Sequence, residues 1–323
     1  MISFIIIGKN EGWKITNCLK SIFLTILNNN LEHFEVLYID SKSTDDSIER
    51  VLNFPDVKIF KINGKSNAAI ARNIGALESK GDFLFFIDGD MEIFPEVFNL
   101  LYTNEKGLLY EYCSGDFINY YYDQQGNYLN KTKQYNLARN IYQEITGGLF
   151  LIKREIWYDF NGMRNIFRIS EDLDFGLRLS KKNIKLLRIK EVLAIHHTID
   201  YEEKNKFLLN LKKGTFLYRG LLYKKNICNI TIYKLYIKKE ISLFYLCYSA
   251  ISYIVIGNYW LFLFYPVLLS ARSIYNKKES FSKILLFAFK YLIYDLNTIL
   301  SLMFFWPKNQ KQPSYSAIKS ISD

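Results

Sequence analysis

Apolar-rich runs at residues 2–7, 34–39, 57–62 and 83–87 are separated by stretches in which apolar residues recur at helical spacing. The run at 83–87 has five apolar residues in a row, the pattern of a strand buried on both faces of a parallel sheet. Between the runs, Ile15, Leu19, Ile22, Phe23 and Ile26 line one face of a helix. Ser43 with Asp46 three residues on resembles a capping arrangement for a helix running to Leu52, and Ser66 caps a helix carrying Ala69, Ile70, Ile74 and Leu77. Strand and helix alternate four times. That predicts an α/β fold, a parallel, doubly wound sheet flanked by helices with right-handed crossovers. No Gly-x-Gly-x-x-Gly follows the first strand, which disfavours a dinucleotide site.

Beyond Pro95 the pattern loosens. Residues 110–122 are aromatic-rich and extended, and Gly147-Gly148 precedes a strand at 149–152. Lys153-Arg154 opens a short segment ending at Asn161-Gly162. Ser170 leads into a helix with Leu173, Phe175 and Leu179 on its face, and two strands follow at 184–189 and 192–195, the second ending in His196-His197. Residues 202–225 are basic and amphipathic, with Phe207, Leu208, Leu211, Phe216 and Leu217.

Residues 241–271 contain no Asp, Glu, Lys or Arg. At about 1.5 Å per residue a continuous helix there exceeds the roughly 30 Å hydrocarbon core, whereas a break at Gly257-Asn258 makes two shorter pieces, more like a re-entrant hairpin. Residues 284–306 are apolar but carry Lys290 and Asp295, so uncharged length favours the first stretch as the membrane piece. Lys238-Lys239 and Lys277-Lys278 suit anionic headgroups, and basic residues on every side of the two stretches set no topology. A buried core pair or a dimer surface is the plainer reading of the same stretches. The expected organisation is a domain over 1–225 and a helical, hydrophobic, membrane-associated region over 226–323.

With 323 residues the chain can bury a full core, and its net charge of +10 suits an anionic partner, although a Lys- and Asn-rich composition alone would give the same sign. No nucleic-acid motif accompanies the charge, so nucleic acid is not expected as a partner. Cys18, Cys113, Cys228 and Cys247 lie far apart, which fits neither a zinc site nor a disulfide framework. Met1 leads directly into a strand pattern without a basic leader, so the domain is expected at the cytoplasmic face of the cell membrane.

In such a sheet the loop from Gly8 to Gly12, Asp40 and Asp88-Gly89-Asp90 emerge at one carboxyl edge, where ligands bind in open α/β sheets. Two carboxylates flanking a glycine can converge on a hard cation, Mg²⁺ or Mn²⁺, that keeps positions open for phosphate oxygens. Asp40 offers an acceptor for a nucleobase N–H, and Arg72 offers positive charge. Each also has a plain role, as a turn for Asp88-Gly89-Asp90, a cap or turn for Asp40 and a solvated helix face for Arg72.

The ordered series Ser3-Phe4-Ile5-Ile6-Ile7-Gly8-Lys9-Asn10-Glu11, Tyr38-Ile39-Asp40-Ser41-Lys42-Ser43-Thr44-Asp45, Ala71-Arg72-Asn73-Ile74-Gly75 and Phe86-Ile87-Asp88-Gly89-Asp90 resembles family 2 glycosyltransferases of the GT-A fold. Gly147-Gly148-Leu149-Phe150-Leu151-Ile152-Lys153-Arg154 and Ser170-Glu171-Asp172-Leu173-Asp174-Phe175 look like that family's acceptor-side motifs. The resemblance implies that Asp40 reads the base, with Gly8, Asn10 and Glu11 near base and ribose. It implies that Asp88, Gly89 and Asp90 form the DXD motif facing ribose and metal-bound diphosphate. Asp172 would be the general base, Gly147, Gly148 and Glu171 would lie on the acceptor side, and one of His196 or His197 would support the metal. Since side chains alternate along a strand, only one of the two histidines should face the site. Gly8-Lys9 stands where the family more usually has a Pro-Thr type of loop, and Lys42 where it has a small residue. No Gln-x-x-Arg-Trp follows Asp172, which favours transfer of a single sugar over polymerisation. The implied activity is metal-dependent, inverting transfer from a nucleotide-sugar to a lipid-linked or surface-glycan hydroxyl, as in polysaccharide biosynthesis. A nucleotidyltransferase and a non-catalytic, membrane-bound nucleotide-sugar-binding scaffold are the competing readings. The first lacks a Gly-rich phosphate loop, and the second would not need Asp88, Asp90 and Asp172 together.

Overall fold

The first four runs form β1 (Ile2–Gly8), β2 (Phe34–Asp40), β3 (Val57–Ile62) and β4 (Phe83–Asp88), joined through α1 (Trp13–Asn28), α2 (Ser47–Leu52) and α3 (Ala68–Glu78). The structure, a computed structural model, describes residues 1–200, 203–277, 281–308 and 312–319. These strands lie parallel in the order β3-β2-β1-β4, so the winding reverses between β1 and β4. Then come β5 (Met91–Ile93), α4 (Pro95–Phe98), a small hairpin of β6 (Tyr102–Thr103) and β7 (Gly107–Leu108), β8 (Tyr112–Tyr122), β9 (Tyr128–Lys133), β10 (Ile141–Gln143), β11 (Leu149–Lys153), α5 (Arg154–Asp159), α6 (Glu171–Ser180) and β12 (Leu186–Ile199). β11 runs antiparallel between β4 and β8, and β12 runs parallel to β8, which makes the sheet mixed around a parallel block.

Period-two alternation divides the core between the two faces of the sheet. Ile2, Phe4 and Ile6 of β1 pack with Ile15, Cys18, Leu19 and Ile22 of α1 on one side. Ile5 and Ile7 pack with Ala69, Ile70, Ala71 and Ile74 of α3 on the other. Gly75 brings α3 down onto β1, for a Cβ there would lie 2.2 Å from Ile5 Cγ2.

Several expected details differ. The α2 helix starts after Asp46 without a side-chain cap, because Ser43 is used in the preceding turn: its N–H donates to Asp40 and its hydroxyl accepts from the Asn10 N–H. The cap of α3 is Asn67 rather than Ser66, its side chain accepting from the Ile70 N–H, and Leu77 is exposed. The strands expected at 184–189 and 192–195 are one strand, β12, which stays paired to β8 across a register shift between Arg188 and Val192. Arg188 is fully buried there, donating to Ser114 Oγ and to the carbonyls of Gly115 and Thr146.

Residues 1–207 with 308–323 form one compact unit and residues 208–307 a second. Residues 208–225 thus fall with the second unit rather than with the domain expected over 1–225. The physical reason is that α8 (Leu217–Lys225) packs against α12 (Phe281–Phe304), where a Cβ on Gly220 would lie 2.6 Å from Ser301 Cβ. The region expected to be helical over 226–323 also ends differently: β13 (Tyr315–Lys319) adds antiparallel to the edge strand β3. The remaining helices are α7 (Glu203–Lys212), α9 (Ile230–Tyr236), α10 (Ile241–Ile256), a 3₁₀ turn at Trp260–Phe264 and α11 (Tyr265–Lys277). Glu202, at the head of the basic segment, and Lys278 of the Lys277-Lys278 pair lie outside the described residues.

The uncharged stretch at 241–271 does break, at Gly257 in the left-handed region with φ 69°. Its helical pieces are therefore short, and among the described residues the helix long and apolar enough to cross a membrane is Lys283–Phe304 in the other stretch. Asp295, one of the charges in that helix, does not face outward. It is buried, with Arg272 Nη1 at 2.6 Å.

Gly75→Ala should lower thermal stability despite the roughly 1 kcal/mol by which alanine is favoured in helices, since forcing a methyl into a packed core costs about 1–3 kcal/mol. Chemical denaturation checks this; a stabilised variant would show that α3 does not rest on β1.

Candidate active site

At the carboxyl edge, β1, β2 and β4 end in Gly8, Asp40 and Asp88. The loop after β1 folds over this edge. Gly89 donates to the Ile7 carbonyl at 2.8 Å, and a Cβ on Gly89 would lie 3.2 Å from both that oxygen and Glu11 Cγ. Asn10 fastens the loop to the one after β2, its N–H donating to Ser43 Oγ at 2.9 Å and its Oδ1 accepting from the Thr44 N–H at 2.8 Å.

Arg72, on α3, reaches the end of β4. One guanidinium nitrogen lies 2.8 Å from Asp88 Oδ1 and the other 3.1 Å from Glu171 Oε1 on α6. Arg72 is almost fully buried, so it does not belong to a solvated helix face. Burial works against its charge, and Asp88 and Glu171 more than offset that. Burial pushes the Asp88 carboxyl up to about 6 against the opposing pull of Arg72. One third of that side chain remains open to solvent, which tempers the push.

Gly147-Gly148 joins this cluster to Asp172. A Cβ on Gly148 would fall 1.9 Å from Asp88 Oδ2, so the Asp88 carboxylate occupies the space a side chain would need. Gly147, at φ 71°, turns its N–H toward Asp172 Oδ2 at 3.2 Å. Asp172 lies in the first turn of α6, whose preceding residue Ser170 sits in the left-handed region without giving a side-chain cap. The approach of α6 is close because Gly176 carries no side chain, a Cβ there falling 1.6 Å from the Glu144 carbonyl oxygen. Burial first, and then the Asp172 charge, raise the Glu171 carboxyl above its ordinary value. Asp174, in the same acidic turn, is fully buried and paired with Arg164 at 2.7 Å and Arg178 at 3.2 Å, so it braces the helix.

Asp90 faces a different set of partners. His196 Nε2 lies 3.3 Å from Asp90 Oδ2, and its Nδ1 lies 2.7 Å from Asn119 Oδ1. Burial disfavours the imidazolium, but the hydrogen bond and charge of Asp90 prevail and raise the His196 pKa. Lys14 stands 2.9 Å from Glu11 and 3.9 Å from Asp90. Asp90 Oδ1 is buried with no hydrogen-bond partner among the described residues, an orphaned anionic oxygen.

His197 and Asp40 have partners of their own. His197 points to the opposite side of β12, its Nε2 2.7 Å from Glu92 Oε1 and its Nδ1 2.8 Å from the Tyr122 hydroxyl, so of the two histidines His196 alone faces Asp90. Asp40 is fully buried and shapes the turn after β2, accepting from the Ser43 N–H at 3.0 Å. Lys14, Asn119 and Glu92 had no signal in the sequence; each is set by pairing between distant strands and helices. Asn73, next to Arg72, holds residues beyond α5: its Nδ2 donates to the Met163 carbonyl at 2.6 Å and to Asn165 Oδ1 at 2.7 Å.

Residues 3–165, half of the chain, match the family described as Glycosyl transferase family 2. An uncharacterized glycosyltransferase of Haemophilus influenzae is 27% identical over 190 residues, which are 55% of this chain and 62% of that protein, so the match spans under two thirds of the relative's length. Among solved structures, S. aureus TarS 1-349 is 10% identical with a TM-score of 0.48, covering 99% of both chains. GalNAc-T7 with UDP, GalNAc and Mn²⁺ is 17% identical with the same TM-score, covering 63% of this chain and 44% of that one. Both likenesses are too distant to carry a substrate across. With the family's sequence pattern running from β1 past α5, this chain belongs to glycosyl transferase family 2.

Proposed function

We propose that the chain is a metal-dependent, inverting glycosyltransferase that moves one sugar from a nucleotide-sugar to a hydroxyl of a lipid-linked or surface-glycan acceptor, working at the cytoplasmic face of the membrane. The observation that carries this reading is the seating of Asp88 and Asp172 on the two glycines of one dipeptide, Gly148 and Gly147, with Arg72 bridging Asp88 to Glu171. That brings a carboxylate suited to hold a donor within one peptide unit of a carboxylate suited to take a proton.

Asp172 accepts the proton of the acceptor hydroxyl as its oxygen attacks the anomeric carbon. The bond from that carbon to the diphosphate breaks, and its electron pair leaves with the diphosphate; one displacement inverts the centre. The Gly147 N–H, donating to Asp172, holds the carboxylate in position. Asp90 and His196 would hold Mg²⁺ or Mn²⁺, which supplies charge neutralisation for the leaving diphosphate. The residues fit such an ion: Asp90 Oδ1 is buried and unpartnered, and His196 already contacts the same carboxylate. Among the described residues no group of three or more His, Cys, Asp or Glu is placed to hold a metal. This suits an ion bound through one or two protein groups plus substrate phosphates. Asp40 and the loop bearing Gly8, Asn10 and Glu11 would border the base, Asp40 acting through the turn it anchors.

Asp172→Asn should reduce turnover by roughly 10²–10⁴-fold while donor affinity in calorimetry stays the same. Equal loss of both would remove its role as base. Asp90→Ala should abolish the Mn²⁺-dependent part of the thermal shift given by the donor in a sugar-nucleotide panel measured with and without Mn²⁺. An unchanged metal-dependent shift would overturn the metal assignment.

A further inference from the structure

The second unit exposes large apolar side chains at one turn and buries an ion pair between its helices. At the turn between α10 and α11, Ile254, Val255, Ile256, Trp260, Leu263 and Phe264 are each between 61% and 80% exposed. They lie within the run at 241–271 that has no charged residue. Soluble proteins seldom present apolar patches of this kind unless something covers them.

Three further observations say what covers the tip. First, several polar backbone groups at the break are paired locally. Gly257 N–H donates to the Tyr253 carbonyl, Trp260 N–H to Asn258 Oδ1 and Phe262 N–H to the Tyr259 carbonyl, and the Tyr245 hydroxyl donates to the Leu261 carbonyl. Hydrocarbon demands such closure, because it offers an unpaired backbone group no partner. Second, the neighbouring helices α11 and α12 turn one charged pair inward. Arg272 and Asp295 meet at 2.6 Å, with the Ser242 hydroxyl at 2.9 Å from Arg272 and both Ser242 and Tyr265 donating to Asp295. Third, the apolar tip is followed back along α10 to a basic collar, exposed Lys234, Lys238 and Lys239, which complements anionic headgroups.

We infer that the tip at residues 254–264 inserts into one leaflet of an anionic bilayer as a re-entrant hairpin. The 16 residues of α10 reach about 24 Å, less than the roughly 30 Å hydrocarbon core, so the hairpin enters and leaves on the same side. This rests on the membrane-side placement proposed above and names the segment that enters lipid.

The test uses the full chain and phosphatidylglycerol vesicles. Wild type and Leu27→Glu, a change at an exposed leucine of α1, should float with the vesicles. Val255→Glu with Leu263→Glu should weaken vesicle binding by at least roughly tenfold, with an unchanged far-ultraviolet circular dichroism spectrum. Bromine-labelled acyl chains should quench wild-type tryptophan fluorescence, and Trp260→Phe should lose most of the quenching. Flotation of the double variant equal to wild type, or quenching unchanged in Trp260→Phe, overturns the proposal. So does a wild type that ignores vesicles and forms a dimer split by the double substitution, which would assign the tip to a second copy. Donor binding, followed by thermal shift, tells failure of this insertion from failure of the transferase reading.

Discussion

A single buried guanidinium ties the candidate site together. Arg72 leaves α3 and meets Asp88 at the end of β4 and Glu171 at the start of α6, so three separate elements converge on one cation. Its burial makes the arrangement all-or-none: an uncompensated charge there is strongly unfavourable, and so the two carboxylates must both be placed. A buried ion pair adds little net stability against a well-packed apolar substitute. Its effect here is geometric, setting the acidic first turn of α6 against the strand end.

Close approach does the rest. Gly75 lets α3 rest on β1, Gly148 leaves room for the Asp88 carboxylate, and Gly176 lets α6 come down on the Glu144 carbonyl. Each sits where a side chain would collide, and each lies on the path from the sheet to Arg72 or Asp172. The donors and acceptors at the edge are thereby held by packing from behind, while Asp90 retains an oxygen with no partner among the described residues.

The second unit applies the same electrostatic rule with its surfaces reversed. Arg272 and Asp295 cancel within the bundle, while large apolar side chains such as Ile254, Leu263 and Phe264 are exposed. Judged by residue count, Asp295 spoils an apolar helix. Judged by position, it is buried against Arg272, Ser242 and Tyr265.

Strand and helix order from β1 to β4 was legible in the chain itself, as were Gly147-Gly148 and the acidic turn at Glu171 and Asp172, because periodicity and glycine placement act over a few residues. The break at Gly257 was legible for the same reason. The uncapped start of α2, the continuity of β12 and the return of β13 to β3 were not, since each depends on which distant segment takes up a backbone or hydroxyl group. Residue order by itself determined the sheet and the edge at which its acidic residues emerge. Only the tertiary structure decided that Arg72 faces Glu171 across 99 positions, that His196 rather than His197 meets Asp90, and that Asp40 accepts from the Ser43 N–H. Those choices follow from strand register and helix packing, which no local pattern of residues contains.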